Sequence, residues 1–250
     1  MGYSYEGCVS EDEQYQMDMM SVMEHPEDLQ FVDNQTEEMC LEAVRRDGYV
    51  LEHVREQTEE ICLAAVRQTG YALPYVNELE QTEEICLEAV RQTGSALEYV
   101  KEQTEEICLE AVREYPWAVE HVKIDDEESY QRIAAEAIRI RTSALRDVKN
   151  QTEAICLIAI EKSIRALKYI ENQTEEMRLI SVRRDGRALK YIKNQTKDIC
   201  LAAMMNHTFT RKKCNLDLND RRRLRYIRDR KTRKICDGQL RFLKTKPARH

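Results

Sequence analysis

The sequence predicts an all-α protein: an α-solenoid of about nine short two-helix repeats, each of about 22 residues, followed by a basic C-terminal extension. Three observations carry that prediction. One line recurs at a nearly fixed period, its clearest copy running Gln81-Thr82-Glu83-Glu84-Ile85-Cys86-Leu87-Glu88-Ala89-Val90-Arg91-Gln92-Thr93-Gly94-Ser95-Ala96-Leu97-Glu98-Tyr99-Val100-Lys101-Glu102. Each copy opens with a helix-start signal and carries a helix-stop residue further on. The apolar positions also return as rows that a single short hairpin cannot bury, so the units must stack to share a core.

Residues 1–13 are expected to be a flexible N-terminus, and the repeats to fill residues 14–214. The first copy, around Tyr15 to Val32, is worn. It ends Glu24-His25-Pro26-Glu27-Asp28-Leu29-Gln30-Phe31-Val32, mirroring Glu114-Tyr115-Pro116-Trp117-Ala118-Val119-Glu120-His121-Val122. Regular copies open at Thr36, Thr58, Thr82, Thr104, Thr152, Thr174 and Thr196. In each, the threonine hydroxyl can accept from a free backbone N–H. The acidic residues that follow most of these threonines suit the positive end of the helix dipole. Gly48, Gly70, Gly94, Pro116 and Gly186 are the stop residues, the glycines through a left-handed conformation and the proline through its missing donor. A first helix of about eleven residues follows from those signals. Its stripe is Ile85, Cys86, Ala89 and Val90 in the clearest copy. The second segment, Ser95 to Lys101, has room for a helix of two turns at most. It supplies two rows, Leu51, Leu73, Leu97, Val119, Leu145, Leu167, Leu189 and Val54, Val76, Val100, Val122, Val148, Ile170, Ile192.

A degenerate copy places Tyr130 where the others have threonine. Length changes fall only after the second segment, near Glu78-Leu79 and from Ile124 to Glu127, where a linker on one face tolerates them. In the copy begun by Thr196 the rows fail at Arg211, Lys213 and Cys214, so the array is expected to end there. Residues 215–250 form the basic extension.

The net charge of −7 combines two opposite parts: residues 1–210 carry 42 acidic and 23 basic side chains, and residues 211–250 carry 4 and 16. Met1 to Ser10 has no basic stretch followed by an apolar run, and no run of apolar residues is long enough to span a bilayer. A soluble intracellular protein is expected, without membrane contact. Six of the nine cysteines, Cys40, Cys62, Cys86, Cys108, Cys156 and Cys200, share one repeat position. Equivalent atoms of stacked helices lie roughly 8–10 Å apart, beyond disulfide reach. These cysteines therefore read as small buried thiols.

No catalytic constellation emerges. His53 and His121 sit in the row of Tyr75, Tyr99, Tyr169 and Tyr191, so the repeat explains them as substitutes for a packed aromatic. No cysteine or histidine pair has zinc-site spacing and no glycine-rich phosphate loop exists, so neither a metal nor a cofactor is expected. Arg45, Arg67, Arg91, Arg113, Arg139 and Arg183 form a row near Glu42, Glu88, Glu110 and Glu136, and are expected to pair with them along each helix. The tail differs in kind. Arg221, Arg222, Arg223, Arg225 and Arg228 lie in a basic stretch with Leu224 and Ile227 on one side, suited to nucleic acid or another polyanion, to a polar terminal cap lying on the acidic solenoid, or to a disordered basic end.

The wording Gln-Thr-Glu-Glu-Ile-Cys-Leu-Glu-Ala-Val-Arg-Gln, followed by Gly-x-Ala-Leu-x-Tyr-Val, resembles the repeats of a helical family of unknown function found in mimivirus-like giant viruses of amoebae and in some intracellular bacteria. The likeness is cleanest over residues 57–112 and 151–206. It implies a helical repeat protein of giant-virus type, in the host cytoplasm or the virion, and brings no activity or catalytic residue. The expected function is a non-enzymatic scaffold for a protein partner. The alternative is a polyanion-binding or packaging protein acting through its tail.

Overall fold

A computed structural model describes residues 10–77, 80–205 and Arg230. The fold is the all-α repeat solenoid that the sequence predicts. Among the described residues α-helices alternate with short 3₁₀ helices. They are α1 (Glu11–Glu24), η1 (Pro26–Phe31), α2 (Glu37–Arg46), η2 (Gly48–His53), α3 (Glu59–Gln68), η3 (Gly70–Tyr75), α4 (Glu83–Gln92), η4 (Gly94–Tyr99), α5 (Glu105–Glu114), η5 (Pro116–His121), α6 (Glu127–Ile140), η6 (Thr142–Asp147), α7 (Glu153–Lys162), η7 (Ile164–Lys168), α8 (Glu175–Arg184), η8 (Gly186–Tyr191) and α9 (Lys197–Met205). The chain divides into two compact units, Met1–Glu136 and Ala137–His250, where the sequence suggested one continuous body. The division falls within α6, in the degenerate copy.

Each regular copy is built the same way. The motif threonine caps its helix, as where the Thr104 hydroxyl accepts from the Ile107 N–H at 3.3 Å. The same hydroxyl donates to the first glutamate of the preceding copy: Thr58 to Glu37 at 3.3 Å, Thr104 to Glu83 at 3.1 Å and Thr174 to Glu153 at 3.2 Å. One side chain thus closes a helix and ties it to its neighbour. The helix runs ten residues in α2 to α5. It stops at an extended residue, such as Thr93 at φ −148°.

The stop glycine is then the first residue of the 3₁₀ helix, and no left-handed backbone is involved at Gly48, Gly70 or Gly94. What excludes a side chain is proximity. A Cβ on Gly94 would stand 2.5 Å from the Ala111 carbonyl oxygen and one on Gly48 2.6 Å from that of Ala65, both in the next copy. Glycine is needed because two main chains approach, which corrects the conformational reason inferred from the sequence. Pro116 serves as the opening residue of η5, where its fixed φ fits and its missing N–H has no intrahelical use.

The second segment is a 3₁₀ helix of six residues, which aligns side chains three apart. Leu97 points inward with Ala96 and Val100, all fully buried. Every member of the leucine row is fully buried and the valine row is nearly so. Each large apolar side chain so placed contributes about 1.5–3 kcal/mol.

The tight 3₁₀ turns leave main-chain groups at their ends with spare hydrogen-bonding capacity, and the glutamine before the threonine uses it. Gln103 donates through Nε2 to the Leu97 carbonyl at 3.1 Å and the His121 carbonyl at 3.0 Å, and accepts from the Lys123 N–H at 2.8 Å. It therefore joins the end of η4 to the end of η5. Gln35, Gln57, Gln151 and Gln173 make the same three bonds in their own copies. In the first unit α1 to α5 stack in sequence order, and η1 to η5 stack beside them. In the second unit α7 to α9 and η6 to η8 do likewise.

Two copies depart from the register. In the first, Ser10 and Glu13 form a capping box that starts α1 at Glu11, so the helix begins inside the segment expected to be a flexible end. In the degenerate copy, Asp126 takes the capping role by accepting from the Ser129 N–H at 2.8 Å. The helix therefore starts before Tyr130, which is buried within it rather than replacing the threonine.

Candidate interaction surface

The 3₁₀ helices also present a face to solvent. With three residues per turn, the positions that flank the buried alanine–leucine pair all point outward. On η2 to η5 these positions are mostly aromatic or acidic: Tyr49 and Glu52 on η2, Tyr71 and Pro74 on η3, Ser95 and Glu98 on η4, Trp117 and Glu120 on η5, with Tyr99 next to Glu98. Tyr49, Tyr71, Tyr99 and Tyr115 are 37–47% exposed, so their rings meet water over a substantial fraction of their surface.

These side chains touch within and between copies. Tyr49 meets Tyr75 edge to face with ring centroids 6.3 Å apart, the Tyr71 and Ser95 hydroxyls are 2.8 Å apart, and Tyr115 packs on Trp117 at 5.3 Å. Tyr71, Ser95, Tyr115 and His121 line a shallow cleft of about 440 Å³ with Glu114 and Glu120 at its edge. His121 Nε2 lies 3.4 Å from Glu120. The histidines of the tyrosine row are half-buried, as the repeat pattern predicts, and belong to this ridge.

The arginine row pairs differently from expectation. Arg113 meets Glu110 within its own helix at 2.5 Å, but Arg67 reaches Glu88 at 3.3 Å and Arg91 reaches Glu110 at 3.5 Å, each in the next copy. Stacking brings the neighbouring glutamate as near as the one along the helix. The strongest such link is at the degenerate copy, where Arg132 grips Glu105 through Nε at 2.6 Å and Nη2 at 2.8 Å. That guanidinium, with the Ser129 hydroxyl, holds the Glu105 carboxyl below its ordinary range.

The cysteine row is buried and unbridged. Burial, reinforced by the glutamate that opens each helix, pushes Cys86 and Cys156 up to about 11 and Cys108 up to about 12. At neutral pH these thiols stay protonated and carry no nucleophile. Among the described residues no group of His, Cys, Asp and Glu side chains is placed to hold a metal ion, and no helix is long and apolar enough to cross a membrane. Arg221, Arg222, Arg223, Arg225 and Arg228 lie outside the described residues, as do Arg211, Lys213 and Cys214.

Sequence reasoning missed two features. The glutamine ladder was legible as the residue preceding all seven motif threonines, yet only the threonine was given a role. The aromatic ridge was visible as tyrosine and tryptophan beside the stop residue, where a helix of unknown type gave no facing.

The fold and the ridge define a class, the α-helical repeat protein whose exposed surface is assembled one short helix at a time. A family model described as Domain of unknown function (DUF4116) matches the chain twice, over residues 58–104 and 82–127. The two matches are offset by about one repeat, and both lie within the first unit. No curated protein and no solved structure matches the chain.

Proposed function

We propose that this chain is a non-enzymatic scaffold that binds a protein partner through the ridge of the first unit, and that the partner presents a basic segment. The observation that carries the reading is the ridge's composition: exposed tyrosines beside the half-buried Trp117, edged by Glu52, Glu98, Glu114 and Glu120. Tyrosine and tryptophan dominate the energetic centres of protein interfaces. Their faces also accept Lys and Arg cations, which the flanking carboxylates attract. The motif wording supports a giant-virus origin for the scaffold, acting in the host cytoplasm or the virion.

The test is titration of Trp117 fluorescence with a set of Lys/Arg-rich peptides, since Trp117 is the chain's single tryptophan and sits on the ridge. Saturable binding is expected. Tyr71→Ala together with Tyr115→Ala should weaken it by roughly thirtyfold or more, the effect of losing an interface anchor. Binding unchanged by that pair would refute the ridge as the contact surface. The alternative function, polyanion binding by Arg221, Arg222, Arg223, Arg225 and Arg228, rests on the positive charge of residues 211–250.

A further inference from the structure

We infer that the second unit carries, on its ordered 3₁₀ helices, a surface for the phosphate backbone of nucleic acid, formed by Arg165 and Lys168 on η7 and Arg187 and Lys190 on η8. It draws on no residue of the first unit's ridge and none of the tail.

Charge divides the chain at the boundary between the units. Residues 1–136 carry 34 acidic and 9 basic side chains (−25), whereas residues 137–205 carry 8 and 14 (+6). The repeat does not dictate the change. Where the first unit has Tyr49 and Glu52, Tyr71 and Pro74, Ser95 and Glu98, or Trp117 and Glu120, the second has Arg165 and Lys168, then Arg187 and Lys190. Residues three apart align on a 3₁₀ helix, and η7 packs beside η8, so the four cations gather on one exposed face.

Neutral rings orient the two lysines, and a carboxylate orients one of the two arginines. Lys168 Nζ sits 4.4 Å from the centroid of Tyr169, and Lys190 Nζ 4.9 Å from that of Tyr191, so uncharged rings orient both ammonium groups. Arg187 pairs with Asp185 at 2.7 Å, while the equivalent place before Arg165 holds Ser163. Four further cations of the unit bond main-chain carbonyls: Lys162 to Ile140 at 3.0 Å, Arg178 to Asn194 at 2.8 Å, Arg184 to Ile160 at 2.8 Å and Lys193 to Ile170 at 2.9 Å.

Phosphate fits this face better than an acidic protein does. Both tyrosines lie under their own lysines, which removes the exposed aromatic anchor that a protein interface needs. Binding to phosphate requires only positive charge on side chains long enough to follow a backbone.

The experiment measures the affinity of the full-length chain for fluorescein-labelled oligothymidylate and for duplex DNA across a range of salt. The variants are Arg165→Ser/Lys168→Gln/Arg187→Ser/Lys190→Gln and a five-arginine tail variant, Arg221, Arg222, Arg223, Arg225 and Arg228 to Ser. With circular dichroism unchanged, the η7–η8 variant should bind roughly tenfold or more weakly at low salt, and its salt slope should fall by about 3 for four lost phosphate contacts. The tail variant should keep that portion of the slope. Identical slope and affinity for wild type and the η7–η8 variant would overturn the inference, as would a wild-type chain that binds neither oligonucleotide. Loss of self-association in sedimentation, with oligonucleotide binding intact, would overturn it in favour of a second copy's acidic unit.

Discussion

Gln103→Ala tests how the repeats are joined. The substitution removes three hydrogen bonds to main-chain groups, two partly buried ones to the carbonyls of Leu97 and His121 and an exposed one from the N–H of Lys123. An abandoned main-chain group costs about 1 kcal/mol where water recovers it and up to about 3 kcal/mol where it does not. Exposure or partial burial puts each near the lower figure, and the Leu97 carbonyl keeps the Val100 N–H, so the sum is about 2–3 kcal/mol, whereas an ordinary surface substitution stays within about 0.5 kcal/mol. Urea denaturation followed by Trp117 fluorescence reads the effect where it occurs, because Trp117 lies on η5, whose terminal carbonyl Gln103 holds. At a slope of about 1–3 kcal/mol/M the midpoint should fall by about 1–3 M. Gln103→Met, which keeps the volume and loses the bonds, should fall as far. A loss below about 0.5 kcal/mol for alanine, or a methionine variant as stable as wild type, would refute the bonding role.

Further predictions concern the packing between copies. Gly94→Ala should destabilise by about 1–3 kcal/mol in the same assay, because its Cβ would crowd the Ala111 carbonyl. Gly94→Asn should be no better tolerated, whereas a left-handed backbone would have accepted it. Cys108→Ser should cost less than about 1 kcal/mol, since the hydroxyl inherits the Gln103 Oε1 acceptor that the thiol faces at 3.5 Å. Cys108→Val, with an extra branch in a filled space, should cost more. Because the folded pKa of Glu105 is lowered, the stability it confers is complete above the ordinary value of 4.5 and disappears as pH falls through the lowered value. Chemical denaturation across that acid range should therefore show a shallower loss for Glu105→Gln than for wild type, and equal slopes would contradict the pairing.

The apolar rows were legible because burial imposes the same residue type at every copy: Leu97, Val100, Ile85 and Cys86 are all found where their spacing placed them. The threonine caps were legible because capping is local chemistry, read from four consecutive residues. What the sequence concealed depends on the neighbouring copy. Gly94 is explained by the Ala111 carbonyl, Gln103 by carbonyls at both ends of its reach, and Arg91 by Glu110, none of which a single repeat displays. The 3₁₀ form of the second helix set the facing of Tyr71 and Trp117. Without that form the ridge could not be drawn. The same facing distinguishes the basic positions of η7 and η8 from Lys162 and Arg184, which the sequence alone shows as equally charged.

The central claim is that the first unit's 3₁₀ face, and not its α-helical face, meets a protein partner. A photo-crosslinking residue placed at Tyr71, or at exposed Glu60 on α3 as the control face, measures this directly in extract from the native source, with mass spectrometry of the adducts. The account predicts one discrete adduct from the Tyr71 position, joined through a Lys/Arg-rich peptide and lost when Tyr115→Ala is added. An adduct from the Glu60 position with none from Tyr71 would contradict it.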